Sequence, residues 1–84
     1  MPTVHRAHGL RFVIFTNDHE PAHVHAIGAD GEARIDLGAE DQPVRLVWVK
    51  GLSNATVRRA MAEVSRQRAS MLAAWARIHG SDEP

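Results

Sequence analysis

The chain contains no cysteine and no tyrosine among its 84 residues. Without cysteine it can form neither a disulfide bond nor a thiolate–metal bond. Any bound metal must therefore use histidine, aspartate or glutamate side chains, and the sequence has 6 histidines and 10 acidic residues to supply them. A core this small contributes only a few kcal/mol of net stability, so a partner protein or a second copy is expected to assist.

Long apolar runs are also missing. No segment approaches the roughly 20 apolar residues that a membrane-spanning helix needs. The first residues, MPTVHR, lack the apolar core of a secretory signal. The sequence therefore predicts a cytoplasmic protein with no membrane partner.

The chain has no net formal charge, but its charges are segregated. Residues 17–41 carry seven acidic residues and one basic residue, whereas residues 53–79 carry five arginines and one acidic residue. Such a separation of charge can steer association with a partner or with a second copy. We therefore expect a protein partner, and we consider a homodimer as well.

The first half of the sequence has the alternation and composition of strands. Runs rich in β-branched and aromatic residues, separated by glycine, proline and Asx residues, predict five strands at 4–8, 10–16, 22–27, 32–37 and 44–50. Apolar residues on a second face of the predicted sheet favour a dimer: Val13, Phe15, Val47 and Val49.

The second half predicts a C-terminal helix over residues 53–79, with Ser53 as the N-cap and residues 80–84 as a tail. Its apolar stripe recurs at steps of three and four: Val57, Met61, Val64, Arg68, Met71, Trp75 and Ile78. Arg68 interrupts this stripe, so one long helix and two shorter ones both remain open. We predict a single α+β domain over residues 1–84, in which residues 1–50 form an antiparallel β-meander of four to five strands and the helix packs on one face.

Three histidines lie within seven residues, in the run His19-Glu20-Pro21-Ala22-His23-Val24-His25. Strand periodicity places His23 and His25 on one face. A two-residue turn at Asp30-Gly31 would pair His25 with Asp36. This register also gathers Val24, Ala26, Ile35 and Leu37 on the opposite, core-facing side.

Three interpretations of this histidine face remain open. The first is a divalent metal site, with zinc as an example, formed by His19, His23, His25 and Asp36. The second is a histidine–aspartate general base, with His23, His25 and Asp36 as the catalytic candidates. The third is a polar strand face that is only solvated. No serine or threonine stands beside a base in a recognisable pattern, so a nucleophilic enzyme is not indicated.

The predicted helix offers another candidate surface. Arg58, Arg59 and Arg66 share roughly one exposed side and could contact nucleic acid or a partner. A solvated helix face explains the same pattern, and the zero net charge weakens the nucleic-acid interpretation.

Several segments resemble the family of small bacterial proteins known as domain of unknown function 4160: MPTV at 1–4, GLRF at 9–12, NDH at 17–19, PAHVH at 21–25 and WARIHG at 75–80. The resemblance implies that His23 and His25 correspond to the family's signature histidines. It also implies a small cytosolic protein encoded beside a second small protein, in a pair similar to a toxin–antitoxin module. That neighbour could carry a DNA-binding domain, which would bring nucleic acid to the pair indirectly.

Three functions remain open. The first is a regulatory component of a toxin–antitoxin-like pair that acts by binding a protein partner. The alternative is a metal-dependent hydrolase or nuclease that uses His23, His25 and Asp36. A weaker alternative is direct nucleic-acid binding through the arginines of the helix.

Overall fold

The computed structural model describes residues 3–38 and 42–79. The elements in chain order are β1 Thr3–Ala7, β2 Leu10–Val13, β3 His23–Ile27, β4 Glu32–Asp36, β5 Arg45–Lys50, α1 Asn54–Arg66 and α2 Arg68–Ile78. The predicted α+β fold is confirmed. The predicted tail at 80–84 lies outside the described residues.

The five strands form one antiparallel sheet in the order β1-β2-β3-β4-β5, so each strand pairs with its neighbour in sequence. The β1–β2 hairpin closes through His8 and Gly9, which both have positive φ angles, 56° and 76°. That is the backbone of a two-residue hairpin turn whose twist matches the flanking strands.

The predicted register of the β3–β4 hairpin is wrong by two residues. His23 lies opposite Asp36, His25 opposite Arg34 and Ile27 opposite Glu32. A type I′ turn would need positive φ at Asp30 and Gly31, and neither residue has it. Gly31 instead lets the hairpin approach β5 closely, because a Cβ there would collide with the Lys50 carbonyl oxygen. Since the shift is even, every side chain stays on its predicted face.

The C-terminal helical region packs on the sheet as predicted, but it is divided into α1 and α2 at Gln67. Ser53 caps α1 as expected, because its hydroxyl oxygen accepts a hydrogen bond from the Thr56 amide at 3.1 Å. The division falls where Arg68 interrupts the apolar stripe. Its guanidinium reaches the end of β4 and donates to the carbonyls of Leu37 at 2.6 Å and Gly38 at 3.0 Å.

The core lies between one sheet face and the two helices. Its buried residues are Leu10, Phe12, Ile14, Val24, Ala26, Ile35, Leu37, Ala60, Val64, Met71, Ala74 and Trp75. In the part of the chain that the structure describes, no helix is both long and apolar enough to cross a membrane.

The second sheet face differs in one respect from the prediction. Trp48 pairs with Arg34 on the histidine side, whereas Val49 pairs with the buried Ala33 on the core side. A bulge at Val47 shifts the register of β5 between these pairs and the pair of Ile35 with Leu46. The expectation that Val49 belongs to the second apolar face is therefore wrong, and Trp48 lies there instead.

Candidate metal centre

Strand β3 places the two histidines of the PAHVH segment side by side. His23 and His25 alternate with Val24, which points into the core, so both rings lie on the opposite face of the sheet. Their ring centroids are 5.1 Å apart. The His23 side chain is 3% exposed and that of His25 is 13% exposed, so the pair is largely shielded from solvent.

The turn after β2 brings a carboxylate to this pair. The Asp18 amide donates to the Phe15 carbonyl at 3.1 Å, and Asp18 Oδ2 accepts from the Phe15 amide at 3.0 Å. These two bonds fix the direction of the carboxylate. Asp18 Oδ2 consequently lies 3.3 Å from His23 Nε2 and 3.6 Å from His25 Nε2.

Hydrogen bonds at the far side of each ring define which nitrogen carries the proton. His23 Nδ1 lies 2.9 Å from the Pro21 carbonyl oxygen, and His25 Nδ1 lies 3.0 Å from Glu32 Oε2. A carbonyl and a carboxylate can only accept, so both Nδ1 atoms donate. In the neutral rings, both Nε2 atoms then present lone pairs toward Asp18.

Three hydrogen-bond acceptors therefore converge: the two Nε2 atoms and the Asp18 carboxylate. His25 Nε2 is buried and has no hydrogen-bond partner among the described residues. Convergent acceptors repel one another unless a cation lies between them, either a metal ion or a proton on one ring. The arrangement is thus suited to binding a cation.

The spacing of the three atoms fits a metal ion. One ligand atom from each of Asp18, His23 and His25 lies within 4.8 Å of the others. Ligands bound to zinc at about 2.0–2.1 Å stand about 3.3 Å apart in tetrahedral geometry. Donation from Nδ1 to a carbonyl or a carboxylate is also the usual way in which proteins orient metal-binding histidines.

Aromatic rings surround the cluster. The Phe15 ring meets His25 edge-on at 4.9 Å, Trp48 lies 6.2 Å from His25, and Trp75 of α2 lies 5.2 Å from His23. An apolar surround of this kind limits solvent access and strengthens electrostatic interactions at the centre.

A cavity of about 910 Å³ is lined in part by Trp75. Its lining includes Glu20, Asp36, Arg45 and Leu72 among the described residues. Trp75 Nε1 donates to Glu20 Oε2 at 3.2 Å, and the ring of the same residue lies 5.2 Å from that of His23.

Two of the four residues predicted as ligands, His23 and His25, are brought together. Asp36 is held elsewhere: Arg34 Nε donates to its Oδ1 at 3.1 Å, and Arg45 Nη2 donates to its Oδ2 at 3.3 Å. His19 is exposed in the loop and is not part of the ligand group found among the described residues. The predicted pairing of His25 with Asp36 is therefore wrong.

The three arginines of the predicted contact surface all lie on α1 and are exposed. Arg66 contacts Glu63, one turn earlier on the helix. Nucleic-acid or partner binding by Arg58, Arg59 and Arg66 stays a prediction.

Sequence reasoning missed Asp18 and Glu32. Asp18 stands in the NDH segment directly before His19, within seven residues of His25, and its nearness in sequence was the available signal. Glu32 could have been found only with the correct hairpin register, which places it opposite Ile27 and diagonal to His25.

The model of the protein family described as "Domain of unknown function (DUF4160)" matches residues 9–76. The chain belongs to this family. The matched range of this DUF4160 protein includes Asp18, His23, His25 and Glu32, and the resemblance noted in the sequence is confirmed. No curated protein and no solved structure matches the chain.

Proposed function

We propose that this DUF4160 protein binds one divalent transition-metal ion through Asp18, His23 Nε2 and His25 Nε2. The observation that carries the proposal is the convergence of three acceptors, the Asp18 carboxylate and the Nε2 atoms of His23 and His25. The two imidazole rings are oriented by hydrogen bonds to the Pro21 carbonyl and to Glu32. Two imidazoles and one carboxylate are ligands suited to zinc and to iron(II).

Three protein ligands leave a coordination position for water. A metal ion in such a site lowers the pKa of the bound water and so supplies a hydroxide nucleophile near neutral pH. The chain then needs no nucleophilic side chain of its own. We propose a metal-dependent hydrolase as the activity of the loaded site, with Asp18 taking the place of Asp36 in the ligand set.

The metal is tested by titrating apo protein with zinc at pH 7.5 against a chromophoric chelator, with the metal content measured by elemental mass spectrometry. We expect one zinc per chain. Asp18→Asn keeps an oxygen acceptor for the Phe15 amide but removes the charge, and we expect it to weaken zinc affinity by more than about 100-fold. His19→Ala is the matched control, because it removes a neighbouring exposed histidine and should leave affinity unchanged.

The outcomes separate the alternatives. Wild-type affinity in Asp18→Asn, or equal losses in Asp18→Asn and His19→Ala, would overturn the site. If the protein binds no zinc, iron(II) or nickel, the positive charge between the three acceptors is a proton on one histidine ring. The cluster is then a histidine–aspartate pair and not a metal site. Circular dichroism of each variant checks that the fold is retained.

Hydrolysis is tested on zinc-loaded protein with bis(p-nitrophenyl) phosphate and with single-stranded RNA and DNA. We expect turnover that is lost in Asp18→Asn and kept in His19→Ala. Stoichiometric metal without turnover on any of these substrates would remove phosphoester hydrolysis and leave a metal-binding protein.

Binding of a protein partner is the second candidate function, favoured by the exposed apolar residues of β5. Val47, Trp48 and Val49 are 38%, 40% and 42% exposed. Trp48 projects from the histidine side of the sheet and Val49 from the core side, so this edge strand exposes apolar surface on both of its faces, as interaction sites do. We propose that the partner is the second member of a toxin–antitoxin-like pair. Co-expression with the neighbouring reading frame, followed by size-exclusion chromatography, tests this, and separate elution of the two chains would contradict it.

A further inference from the structure

Strand β5 is an edge of the sheet. It pairs with β4 on one side, and on the other side it pairs with no strand among the described residues. An edge strand presents unpaired backbone N–H and C=O groups that can hydrogen-bond an added strand. Soluble proteins usually protect such edges with charges, and here the middle of the edge is apolar.

The charges of β5 stand at its two ends. Arg45 opens the strand and Lys50 closes it, and both are exposed. Antiparallel pairing of β5 with β5 of a second copy in full overlap would place Arg45 of each copy opposite Lys50 of the other. Like charges directly opposite one another destabilise a strand pair, so a second copy is a poor occupant.

The chain itself shows what complements β5. On the paired side, β4 places Glu32 opposite Lys50 and Asp36 opposite Arg45. Between these acids lie the apolar Ala33 and Ile35, together with Arg34, which is opposite Trp48. The neighbour of β5 within the chain is therefore an antiparallel strand with acidic ends and a mainly apolar middle. The same side-chain chemistry faces an added strand on the outer edge.

We propose that the outer edge of β5 binds an extended segment of a partner protein, added antiparallel as a sixth strand, with acidic residues facing Arg45 and Lys50 and apolar residues between them. This inference rests on the proposed partner-binding function and is independent of the metal centre. Backbone hydrogen bonds provide the affinity, and the charged ends set direction and register.

The probe is a fluorescein-labelled peptide with the β4 sequence GEARIDL, residues 31–37, measured by fluorescence anisotropy. A control peptide, GKARIKL, replaces both acids by lysine. We expect saturable binding of the acidic peptide and binding of the lysine peptide that is weaker by about threefold to tenfold per reversed pair.

Charge reversal in the protein supplies the reciprocal test. Lys50→Glu should weaken binding of GEARIDL and strengthen binding of GKARIKL, whereas Arg58→Glu, an exposed reversal on α1, should change neither. If Lys50→Glu and Arg58→Glu changed peptide affinity equally, the binding would depend only on the net charge of the protein, and the proposal would be overturned. Absence of GEARIDL binding up to about 1 mM would also overturn it.

Sedimentation velocity tests the second copy as the occupant. A wild-type dimer that Lys50→Glu strengthens would assign the edge to self-pairing, because the reversal turns the Arg45–Lys50 repulsion into an attraction. That result would overturn the proposal, whereas a monomer supports it.

Failure at β5 and failure of partner binding remain distinguishable. A co-expressed neighbour protein that elutes with wild-type and Lys50→Glu chains alike, without peptide binding, overturns the β5 inference and leaves the partner function standing. No co-elution together with no peptide binding removes both. Co-elution that Lys50→Glu abolishes and Arg58→Glu does not supports both.

Discussion

His25 donates a hydrogen bond from Nδ1 to Glu32 Oε2 at 3.0 Å, across the β3–β4 hairpin. The carboxylate is about one-third exposed, at 37%, so it lies at the rim of the cluster. The bond turns Nε2 toward Asp18, which is 3.6 Å away, and it makes the ring a stronger ligand. In the proposed metal centre, Glu32 therefore supports His25 without being a ligand itself.

Glu32→Ala is expected to weaken zinc affinity by about 10–100-fold, because outer hydrogen bonds to metal-binding histidines have effects of this size. The measurement is competitive zinc titration at constant pH. Asp30→Ala, an exposed acid in the same hairpin, is the control for loss of nearby negative charge. A Glu32→Ala variant indistinguishable from Asp30→Ala would show that the His25–Glu32 bond does not tune the site.

Asp18 and Asp36 should separate metal binding from stability. Asp36 is 6% exposed and is held by Arg34 and Arg45, so Asp36→Asn removes a buried charge partner and should destabilise the fold by about 1–3 kcal/mol. Its zinc stoichiometry should remain that of the wild type. Asp18→Asn should show the opposite pattern, with urea unfolding close to wild type and zinc binding lost. Loss of zinc in a folded Asp36→Asn protein would return Asp36 to the ligand set.

Glu63 ties α1 to β1 and makes stability depend on pH. His5 Nε2 lies 2.5 Å from Glu63 Oε2, His8 Nε2 lies 3.7 Å from Oε1, and Arg66 contacts the same carboxylate. The hydrogen bond from His5 lowers the pKa of Glu63 below its usual 4.5, burial opposes this shift, and the charge of Arg66 reinforces it. The carboxylate therefore contributes stability that is fully present above pH 4.5 and is lost as the pH falls through its lower folded pKa.

Glu63→Gln should accordingly reduce the free energy of unfolding at pH 6, and the difference from wild type should shrink as the pH falls below about 4.5. Urea unfolding of both proteins between pH 3 and pH 6.5 measures this difference. Asp30→Asn serves as the control for loss of a carboxylate, since Asp30 is exposed and its substitution should change the free energy of unfolding little. A Glu63→Gln difference that grows toward low pH would contradict the sign of the shift.

The strands of the sheet and their two faces could be predicted because strand alternation depends only on residues that are close in sequence. Alternation along β3 and β4 separates Val24, Ala26 and Ile35 from His23 and His25 whatever the turn between the strands. The exact register of β3 against β4 could not be predicted from Asp30-Gly31. Gly31 is needed because the chain passes close to Lys50 there, and not because the turn requires a positive φ angle. That requirement comes from β5, which is distant in sequence.

The candidate site was predictable only in part for a similar reason. His23 and His25 share a face by strand geometry alone, and this much follows from the sequence. The direction of Asp18 depends on its two hydrogen bonds to Phe15 within an irregular turn. Trp75 reaches His23 from α2 only after the helices have packed on the sheet. Loop direction and tertiary packing therefore supply what periodicity does not.

Arg68 begins α2 directly after the break between the helices, and its contacts give the last prediction. It occupies an apolar-stripe position, yet its guanidinium donates to the carbonyls of Leu37 and Gly38 at the end of β4. A buried carbonyl that loses its donor costs about 1–3 kcal/mol, so Arg68→Met should lower the free energy of unfolding by that amount although methionine suits an apolar stripe.

Urea unfolding with tryptophan fluorescence measures the effect, and Arg59→Met, an exposed arginine on α1, should stay within about 0.5 kcal/mol of wild type. The free energy of unfolding of Arg68→Lys should lie between those of Arg68→Met and Arg59→Met. An ammonium group can reach one carbonyl but lacks the planar guanidinium that serves both. If Arg68→Met is as stable as wild type, the apolar stripe rather than the carbonyl contacts determines how α2 meets the sheet.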